Sequence, residues 1–360
     1  MTPAFWSGKS VFLTGHTGFK GSWLALLLQA FGARVTGYAL PAPTHPSLFD
    51  DADVGTDMES CIGDIRDGDK LAQCLKVARP DIVLHLAAQS LVRHSYENPH
   101  ETYSTNVLGL VNLLEAVRKT DSVRAVVNVT SDKCYENKEW PWAYRENEPM
   151  GGFDPYSSSK GCAELVTSAY RQSFFHPERY STHGVALGSA RAGNVIAGGD
   201  WAADRLMPDI VRALLARQDI IIRNPASVRP WQHVLEPLSG YLALAEKLFV
   251  QGPDFAEGWN FGSTEDDARP VQWIVDYMVR AWGGGAAWRL ADETGPHEAH
   301  VLKLDSSKAR ARLDWVPRWS LAMTLDSIVE WNRAYAKGAP VRTVTLQQIS
   351  DFRMGTARAS

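Results

Sequence analysis

A hydroxyl, a carboxyl and an amine stand side by side as Ser131, Asp132 and Lys133, directly after an apolar run that ends at Thr130. A buried strand normally turns to solvent where it ends. Three polar groups of different acidity at that point are instead typical of a site that moves protons. A solvated Asp-Lys pair in a loop is the structural alternative, and the surrounding motifs favour catalysis.

A second pair of reactive groups lies in "YSSSK", where Tyr156 and Lys160 are four residues apart. Residues at this spacing share one face of a helix, so the phenol and the amine can meet the same ligand. A free tyrosine titrates near pH ~10, and lowering its pKa by about 3 units corresponds to about 4 kcal/mol. A nearby ammonium and a cationic nicotinamide both favour the phenolate. Tyr156 is therefore the predicted base that takes a proton from an alcohol, although such a pair also arises by chance on surface helices.

A glycine-rich stretch, "TGHTGFKG", separates the predicted strand Val11–Thr14 from the predicted helix Ser22–Phe31. Glycines at this spacing permit a tight turn and let the amides at a helix N-terminus approach a pyrophosphate. A glycine-rich corner without a ligand is the alternative, but the flanking strand and helix favour a dinucleotide site. The predicted cofactor contacts in this stretch are Gly15, His16, Thr17, Gly18, Phe19, Lys20 and Gly21.

The choice of cofactor rests on the end of the second predicted strand. A Rossmann site selective for NAD usually has an acid there, whereas this chain continues from Tyr38 through Ala39 and Leu40 to Pro41. No arginine follows that could hold a 2′-phosphate, so NAD remains favoured. Asp64 and Ile65 in "GDIRD" are candidates for the adenine edge, with an ordinary loop acid as the alternative.

Short β-branched runs alternate with longer helical patterns through the first half of the chain. This alternation predicts an α/β fold: a Rossmann-type doubly wound parallel sheet with a second, smaller substrate-binding α/β domain. We expect an NAD-binding domain at 1–188 and a mainly substrate-binding domain for nucleotide sugar at 189–360, with 231–262 returning to the first. The predicted strands are Val11–Thr14, Arg34–Ala39, Ile82–Ala87, Val123–Thr130 and Val185–Ala190; the predicted helices are Ser22–Phe31, Asn106–Lys119, Tyr156–Phe175, Asp209–Ala216, Leu238–Phe249 and Trp273–Trp282.

Composition narrows the classes of partner. The 360 residues are 45% hydrophobic and 22% charged, with a formal net charge of −4 and no Lys/Arg-rich block, which argues against nucleic acid. No apolar run approaches the roughly 20 residues needed to cross a bilayer, and no cleavable leader is evident. We therefore expect a cytoplasmic protein that contacts no membrane. The four cysteines lack a metal spacing and are expected to be reduced: Cys61, Cys74, Cys134 and Cys162.

A histidine pair raises the possibility of a metal site. His297 and His300 in "HEAH" are three residues apart, rather than the four that place both rings on one face of a helix, and Pro296 indicates a loop. We predict no metal.

Five segments together resemble the extended short-chain dehydrogenase/reductase superfamily: "TGHTGFKG", "LAAQS", "TSDKCY", "YSSSK" and "ARAGNVIAGGDW". Within it, the third and fifth segments resemble the nucleotide-sugar 4,6-dehydratases that act on a CDP-linked hexose. The resemblance covers nearly the whole chain. It implies an NAD-containing enzyme that converts CDP-D-glucose to CDP-4-keto-6-deoxy-D-glucose, on the route to deoxy sugars of bacterial surface polysaccharides, and a dimer through paired helices or a tetramer. Further cofactor contacts implied are Leu86, Ala87, Ala88 and Gln89.

The resemblance also assigns roles to the first triplet. In such a dehydratase C4 is oxidised, water is lost across C5 and C6, and the hydride returns to C6. Ser131 then hydrogen-bonds O4, Asp132 protonates the departing C6 hydroxyl, and Lys133 serves C5. Related dTDP-glucose dehydratases have a glutamate at this last position. Since an ordinary lysine is protonated at neutral pH, the lysine is either a base whose surroundings release its proton or a cation that stabilises the enolate.

Substrate contacts are implied for three residues, with a plain surface arginine as the alternative for the last: Asn194, Arg205 and Arg229. A guanidinium suits bidentate recognition of phosphate.

Two other functions are alternatives to the dehydratase. A nucleotide-sugar C4 epimerase needs Tyr156 and Lys160 but has no use for an acid and an amine after Ser131. A non-catalytic dinucleotide-binding module would not need the tyrosine.

Overall fold

A seven-stranded sheet forms the centre of the protein in the computed structural model, which describes residues 2–291 and 302–355. The strand order is β3-β2-β1-β4-β5-β6-β10, and every neighbouring pair is parallel. The predicted Rossmann-type class is confirmed. The strands of this sheet are β1 (Ser10–Thr14), β2 (Arg34–Ala39), β3 (Glu59–Ile62), β4 (Ile82–His85), β5 (Ala125–Val129), β6 (Ala186–Ala192) and β10 (Gly258–Phe261).

Continuous burial explains why the central strands read as apolar runs in the sequence. All residues of β1, β4, β5 and β6 are buried, as expected for parallel strands covered by helices on both faces. The helices are α1 (Pro3–Trp6), α2 (Phe19–Ala30), α3 (Leu48–Asp51), α4 (Gly68–Ala78), α5 (Val92–Glu97), α6 (Pro99–Tyr103), α7 (Gly109–Arg118), α8 (Pro155–Ser173), α9 (Tyr180–His183), α10 (Leu206–Ala216), α11 (Leu235–Gln251), α12 (Val271–Trp282), α13 (Ser307–Leu313), α14 (Leu321–Ala336) and α15 (Val341–Met354).

Two small sheets lie outside the main sheet. One has the order β11-β9-β7 and the other pairs β12 with β8. The helix α11 that follows β9 packs against β5 and β6, and β10 then joins the main sheet beside β6. The chain thus runs from the small sheets back to the main sheet. The remaining strands are β7 (Asn194–Ile196), β8 (Ile220–Ile222), β9 (Val228–His233), β11 (Ala268–Pro270) and β12 (Trp288–Leu290).

Two of the four cysteines lie close together. Cys61 and Cys74 are 13 residues apart in the sequence, and their Cα atoms are 7.3 Å from each other, further than a disulfide usually spans, while Cys134 and Cys162 are free. The reduced state of the four thiols therefore stays a prediction. The β3–α4 connection folds the chain back so that the first two side chains meet, and spacing alone does not show this.

Two further expectations concern a membrane span and the histidine pair. Among residues 2–291 and 302–355, no helix combines the length and apolarity that crossing a bilayer requires. The "HEAH" stretch, with His297 and His300, lies outside the described residues.

Candidate active site

The predicted functional side chains meet at the carboxyl edge of the main sheet. β1 has β2 on one side and β4 on the other, so the connections after β1 and β4 run in opposite directions. This reversal is the place where open parallel sheets bind ligands. The "TSDK" segment follows β5 at the same edge, and the segment containing Asn194 follows β6.

The glycine-rich turn has the shape of an anion cradle. Gly15 has φ +78, and a Cβ there would lie 2.8 Å from the amide nitrogen of Ala87. A Cβ on Gly21 would lie 2.0 Å from the carbonyl oxygen of Gly15, so the turn closes only with glycine at both positions. At Gly18 the nearest atom to such a Cβ is 3.5 Å away, and no side chain caps the start of α2 at Phe19. The open helix N-terminus fits the pyrophosphate of a dinucleotide.

The side chains of His16 and Thr17 are turned into the protein. The His16 ring is buried, with Nε2 2.7 Å from Ser60 Oγ, and a Cβ on Gly37 would lie 2.4 Å from the ring. Burial lowers its pKa to about 4. Thr17 Oγ1 donates to the Leu40 carbonyl at 2.8 Å. Because His16 is enclosed, its backbone is the part that can face a cofactor.

Lys20 extends from this turn toward the catalytic groups. Burial lowers its pKa to about 8, the charges of Arg205 and Lys160 act in the same direction, and Asp132 opposes them. Its Nζ lies 5.8 Å from the ring centroid of Tyr241. Sequence reasoning placed Lys20 only among the cofactor contacts; the motif shows its position in the turn but not where its side chain points.

Asp64, the carboxylate predicted at the adenine end, is engaged by a neighbouring arginine. Asp64 pairs with Arg66 at 2.5 Å, and the hydrogen bond from Arg66 lowers the pKa of Asp64. Ile65 is buried, and a Cβ on Gly109 would lie 2.6 Å from its Cγ2. Leu40, directly after β2, is 52% exposed. An apolar side chain thus occupies the position where an acid is usual.

The "LAAQS" segment is fixed to the glycine-rich turn and to a helix. Thr14 Oγ1 accepts from the amides of Leu86 and Ala87, each at 3.1 Å. The backbone amide of Gln89 donates to Asn106 Oδ1 at 2.8 Å. Ala88 lies between these two anchors. These bonds place the segment against the first turn, as a cofactor wall requires.

Asn106 joins two segments of the site, although the sequence did not single it out. It lies in a π-helical turn, Ser104–Leu108, before α7. Its Nδ2 donates to the Gln89 carbonyl at 2.9 Å and to Ser159 Oγ at 2.8 Å. It therefore links the "LAAQS" segment to the catalytic helix. Its place inside a predicted helix gave no signal, since a π-turn is not visible in a hydrophobic pattern.

Ser131, Asp132 and Lys133 form a compact turn after β5. Ser131 Oγ donates to Asp132 Oδ1 at 2.9 Å and accepts from the Lys133 amide at 3.2 Å. Asp132 is buried, and burial raises its pKa, while the charges of Lys133 and Arg229 and the Ser131 hydroxyl oppose the rise. A Cβ on Gly193 would lie 3.2 Å from Asp132 Oδ2. The acid is thus enclosed in a space that glycine keeps open.

Tyr156 and Lys160 lie on the first two turns of α8, which Asp154 caps at 2.9 Å through the Ser157 amide. Burial raises the pKa of Tyr156 to about 12, although a hydrogen bond with Ser131 lowers it. Burial also lowers the pKa of Lys160 to about 8. This differs from the expectation that the Lys160 ammonium lowers the tyrosine pKa: loss of solvation dominates, and the groups that oppose it are Ser131 and Arg205.

The three predicted substrate residues lie around this centre. Arg205 donates to Asp200 at 3.2 Å and to Ser90 at 2.8 Å, and its charge reaches Tyr156. Arg229 lies on β9, and its charge reaches Asp132. Asn194 begins β7, in register with Trp231 of β9. Lys20 and the two arginines bring positive charge to this centre, where Arg205 is paired with Asp200 at 3.2 Å.

The fold and this geometry define a Rossmann-type protein whose first turn fits a dinucleotide, with a buried tyrosine–lysine pair on one helix and an additional buried acid. Comparison with known proteins gives the family. The family model described as GDP-mannose 4,6 dehydratase matches residues 12–251. The chain belongs to this family. It also belongs to the short-chain dehydrogenase/reductase superfamily, which its five motifs resemble.

Individual relatives are consistent with this assignment. The chain is 60% identical over 354 residues to CDP-glucose 4,6-dehydratase of Salmonella typhimurium, which covers 98% of this chain and 99% of the relative. A dTDP-glucose 4,6-dehydratase structure from Streptomyces venezuelae, solved with NAD, is 22% identical with a TM-score of 0.75, covering 92% of this chain and 99% of that one. A UDP-glucose-4-epimerase structure from Stenotrophomonas maltophila is 21% identical with a TM-score of 0.79, covering 92% and 100%.

Proposed function

We propose that the protein is a hydro-lyase that converts CDP-D-glucose to CDP-4-keto-6-deoxy-D-glucose. The observation that carries this proposal is the buried Asp132 beside Ser131 and Lys133, facing the same cleft as Tyr156. An epimerase needs no acid at this point, whereas loss of a hydroxyl does. The 60% identity to the Salmonella enzyme over nearly the full length of both chains supports the CDP-linked substrate.

The cofactor of this proposal is NAD. When bound, it accepts the hydride from C4 and supplies it again at C6, so it is not consumed. The glycine-rich turn, with Gly15, Gly18 and Gly21, would hold its pyrophosphate at the start of α2. Asp64 and Ile65 would lie at the adenine end, and residues 86–89 along the nicotinamide side.

The chain's own residues divide the proton transfers between them. Tyr156 takes the proton of the O4 hydroxyl while Ser131 hydrogen-bonds the same oxygen, which becomes the ketone. The ketone acidifies the C5 proton. Lys133 either takes this proton as base and returns it to C5 when the hydride reaches C6, or stabilises the enolate as a cation while another group takes the proton. Asp132 gives its proton to the C6 hydroxyl as water leaves. Lys160 contributes positive charge beneath Tyr156, on the next turn of α8.

The two regions of the chain divide binding in the same way. Residues 1–188 would bind NAD, and residues 189–360 would mainly hold the nucleotide sugar, with 231–262 packed back onto the first domain. Asn194, Arg205 and Arg229 are the proposed contacts to the CDP moiety. Their support is the positive charge that the two arginines bring to this centre and the position of Arg229 within electrostatic reach of Asp132.

The surface supports a homodimer, with a homotetramer as the larger alternative. Four large apolar side chains are exposed at the end of α6, in the turn before α7, on α8 and directly after α8, which is more than a solvated surface needs: Tyr103 37%, Leu108 59%, Leu165 61% and Phe174 42%. We propose that two copies bury these helices against each other. We further propose that the enzyme acts in the cytoplasm, in the synthesis of deoxy sugars for the O-antigen of lipopolysaccharide.

The test is product identification. The protein with NAD is incubated with a panel of glucose nucleotides, and the products are resolved by mass. We expect CDP-glucose to lose one water without stoichiometric release of NADH, and deuterium placed at C4 to appear at C6 of the same molecule. Recovery of CDP-galactose without loss of water would establish the epimerase instead.

A further inference from the structure

A buried ion pair lies behind the catalytic groups and has no part in the mechanism above. Arg191 Nη2 donates to Glu164 Oε2 at 2.8 Å, and the two side chains are only 6% and 5% exposed. A buried ion pair is weak evidence for stability, because removing two charges from water offsets most of their attraction. Its position relative to the site is therefore the more informative property.

Glu164 connects three elements that carry or support the site. Its Oε1 accepts from Thr130 Oγ1 at 2.5 Å, and its Oε2 accepts from Ser189 Oγ on β6 at 2.7 Å. Thr130 is the residue directly before Ser131, at the end of β5. Glu164 itself is four residues after Lys160 on α8, so both lie on the same face of the helix.

Arg191 extends the same network past the catalytic triplet. Its Nη1 donates to the Tyr135 hydroxyl at 2.6 Å and to the Glu146 carbonyl at 3.1 Å. The Tyr135 hydroxyl in turn donates to Asn260 Oδ1, on β10, at 2.8 Å. The segment 131–133 is thus held on both sides, through Thr130 before it and Tyr135 after it, by one ion pair.

We propose that Glu164 is a positioning residue for the oxidation step, fixing the Ser131 turn against α8 and placing a negative charge one helical turn beneath the Lys160 ammonium. The inference rests on the proposed function. Two consequences follow: the geometry between Ser131 and Tyr156 depends on the Thr130–Glu164 bond, and the protonation of Lys160 depends on the Glu164 charge.

The charge effect has a defined sign. Burial lowers the pKa of Lys160 to about 8, and Cys134 and Glu164 both oppose this. Loss of the carboxylate charge lowers that pKa further, so the ammonium beneath Tyr156 is lost at lower pH. The alkaline limb of the oxidation rate then moves to lower pH. The other ionisable groups that face Lys160 or Glu164 are Lys20 on α2, His85 on β4, Arg171 on α8 and Arg191 on β6.

The experiment measures bound cofactor reduction in a single turnover, with the full chain saturated with NAD and CDP-glucose, across pH. Glu164→Gln keeps the shape of the side chain and removes its charge. We expect the alkaline limb to move to lower pH by about one unit and the rate above that limb to fall about tenfold, with KM for CDP-glucose nearly unchanged. Glu164→Asp restores the charge and should return the limb toward its original pH.

Thr167→Val is the matched control. Thr167 is also buried on α8, near one turn further along, and accepts from Asn128 Nδ2 on β5 at 2.8 Å. The variant removes a buried bond between the same two elements without changing charge, so it should leave the pH profile where it was. If Glu164→Gln does not fold, the double variant Glu164→Gln/Arg191→Gln avoids an uncompensated buried charge and should show the same shift.

Each outcome has one reading. An unshifted limb in Glu164→Gln, or an equal shift in Thr167→Val, overturns the positioning role. A parent enzyme that reduces no cofactor with CDP-glucose overturns the proposed function instead, and is recognised before any variant is compared.

Discussion

Asp132→Asn should separate the oxidation of C4 from the loss of water. Ser131 Oγ lies 2.9 Å from Oδ1 of Asp132. Asparagine has the same shape, so Ser131 Oγ can still donate to its amide oxygen. The space beside Gly193 is unchanged. The substitution removes only the proton that the C6 hydroxyl needs in order to leave, so Tyr156 should still take the O4 proton.

The magnitude follows from the enclosure of the acid. A positioned general acid contributes about 10²–10⁴-fold, or about 3–5 kcal/mol of barrier. Asp132 is 4% exposed, so solvent has little access to replace it, and we expect a loss toward the upper end of that range. Burial also raises the pKa of the Asp132 carboxyl. The acid form is present below that raised pKa, so the elimination rate in the parent should fall as pH rises through it.

Rapid-quench mass analysis, run alongside reduced-nicotinamide absorbance, distinguishes the steps. In Asp132→Asn we expect bound NADH and a 4-keto sugar to accumulate, while solvent deuterium still enters C5 because Lys133 is intact. Dehydration within about threefold of the parent rate would refute the assignment of Asp132 as the acid. Failure to form any 4-keto sugar would show instead that the residue serves oxidation.

Further substitutions test the other groups in the site. Lys133→Ala should also oxidise C4 and then stall, but with C5 exchange slow or absent; turnover near the parent rate would make this lysine an ordinary loop residue. Tyr156→Phe should abolish reduction of bound NAD on mixing with CDP-glucose, and Lys160→Ala should weaken both activity and cofactor retention in equilibrium dialysis. Titration of apo-protein should show only a modest preference for NAD over NADP, set by the fit around Leu40; much tighter NADP binding would contradict this. Leu165→Glu should shift the protein to monomer in sedimentation velocity, and an unchanged mass would exclude α8 from the interface.

Most strands in the first half of the fold were predictable because they are buried on both faces, whereas the mostly exposed β3 and the helix α4 were not predicted. The predicted strand 34–39 agrees with β2 at both ends, and 11–14 differs from β1 by one residue. Helices α14 and α15 were not predicted. Their buried faces pack against elements far away in sequence, α12 for the first and α2 for the second. Pattern reasoning finds a face but not the partner that covers it.

In the site, the sequence showed the spacing of residues but not the direction of their side chains. The four-residue spacing of Tyr156 and Lys160 correctly indicated a shared helix face, and one more step of four reaches Glu164, a signal that was available and unused. The direction of Lys20 was not predictable, since a turn motif gives the backbone path and leaves the side chain open. The proximity of Cys61 and Cys74 depends on the path from β3 to α4, which no local pattern contains.

The two acids of the site must be in opposite protonation states for the chemistry to run. Tyr156 must lose its proton for oxidation, whereas Asp132 must keep its own for elimination, and burial favours the neutral form of both. What differs is their surroundings: Ser131 and Arg205 act to stabilise the phenolate, and a cationic nicotinamide beside the phenol adds to them. Enclosure instead raises the pKa of Asp132, against the opposing charges of Lys133 and Arg229. Separate environments for two neighbouring acids are how one cleft performs base and acid catalysis in sequence.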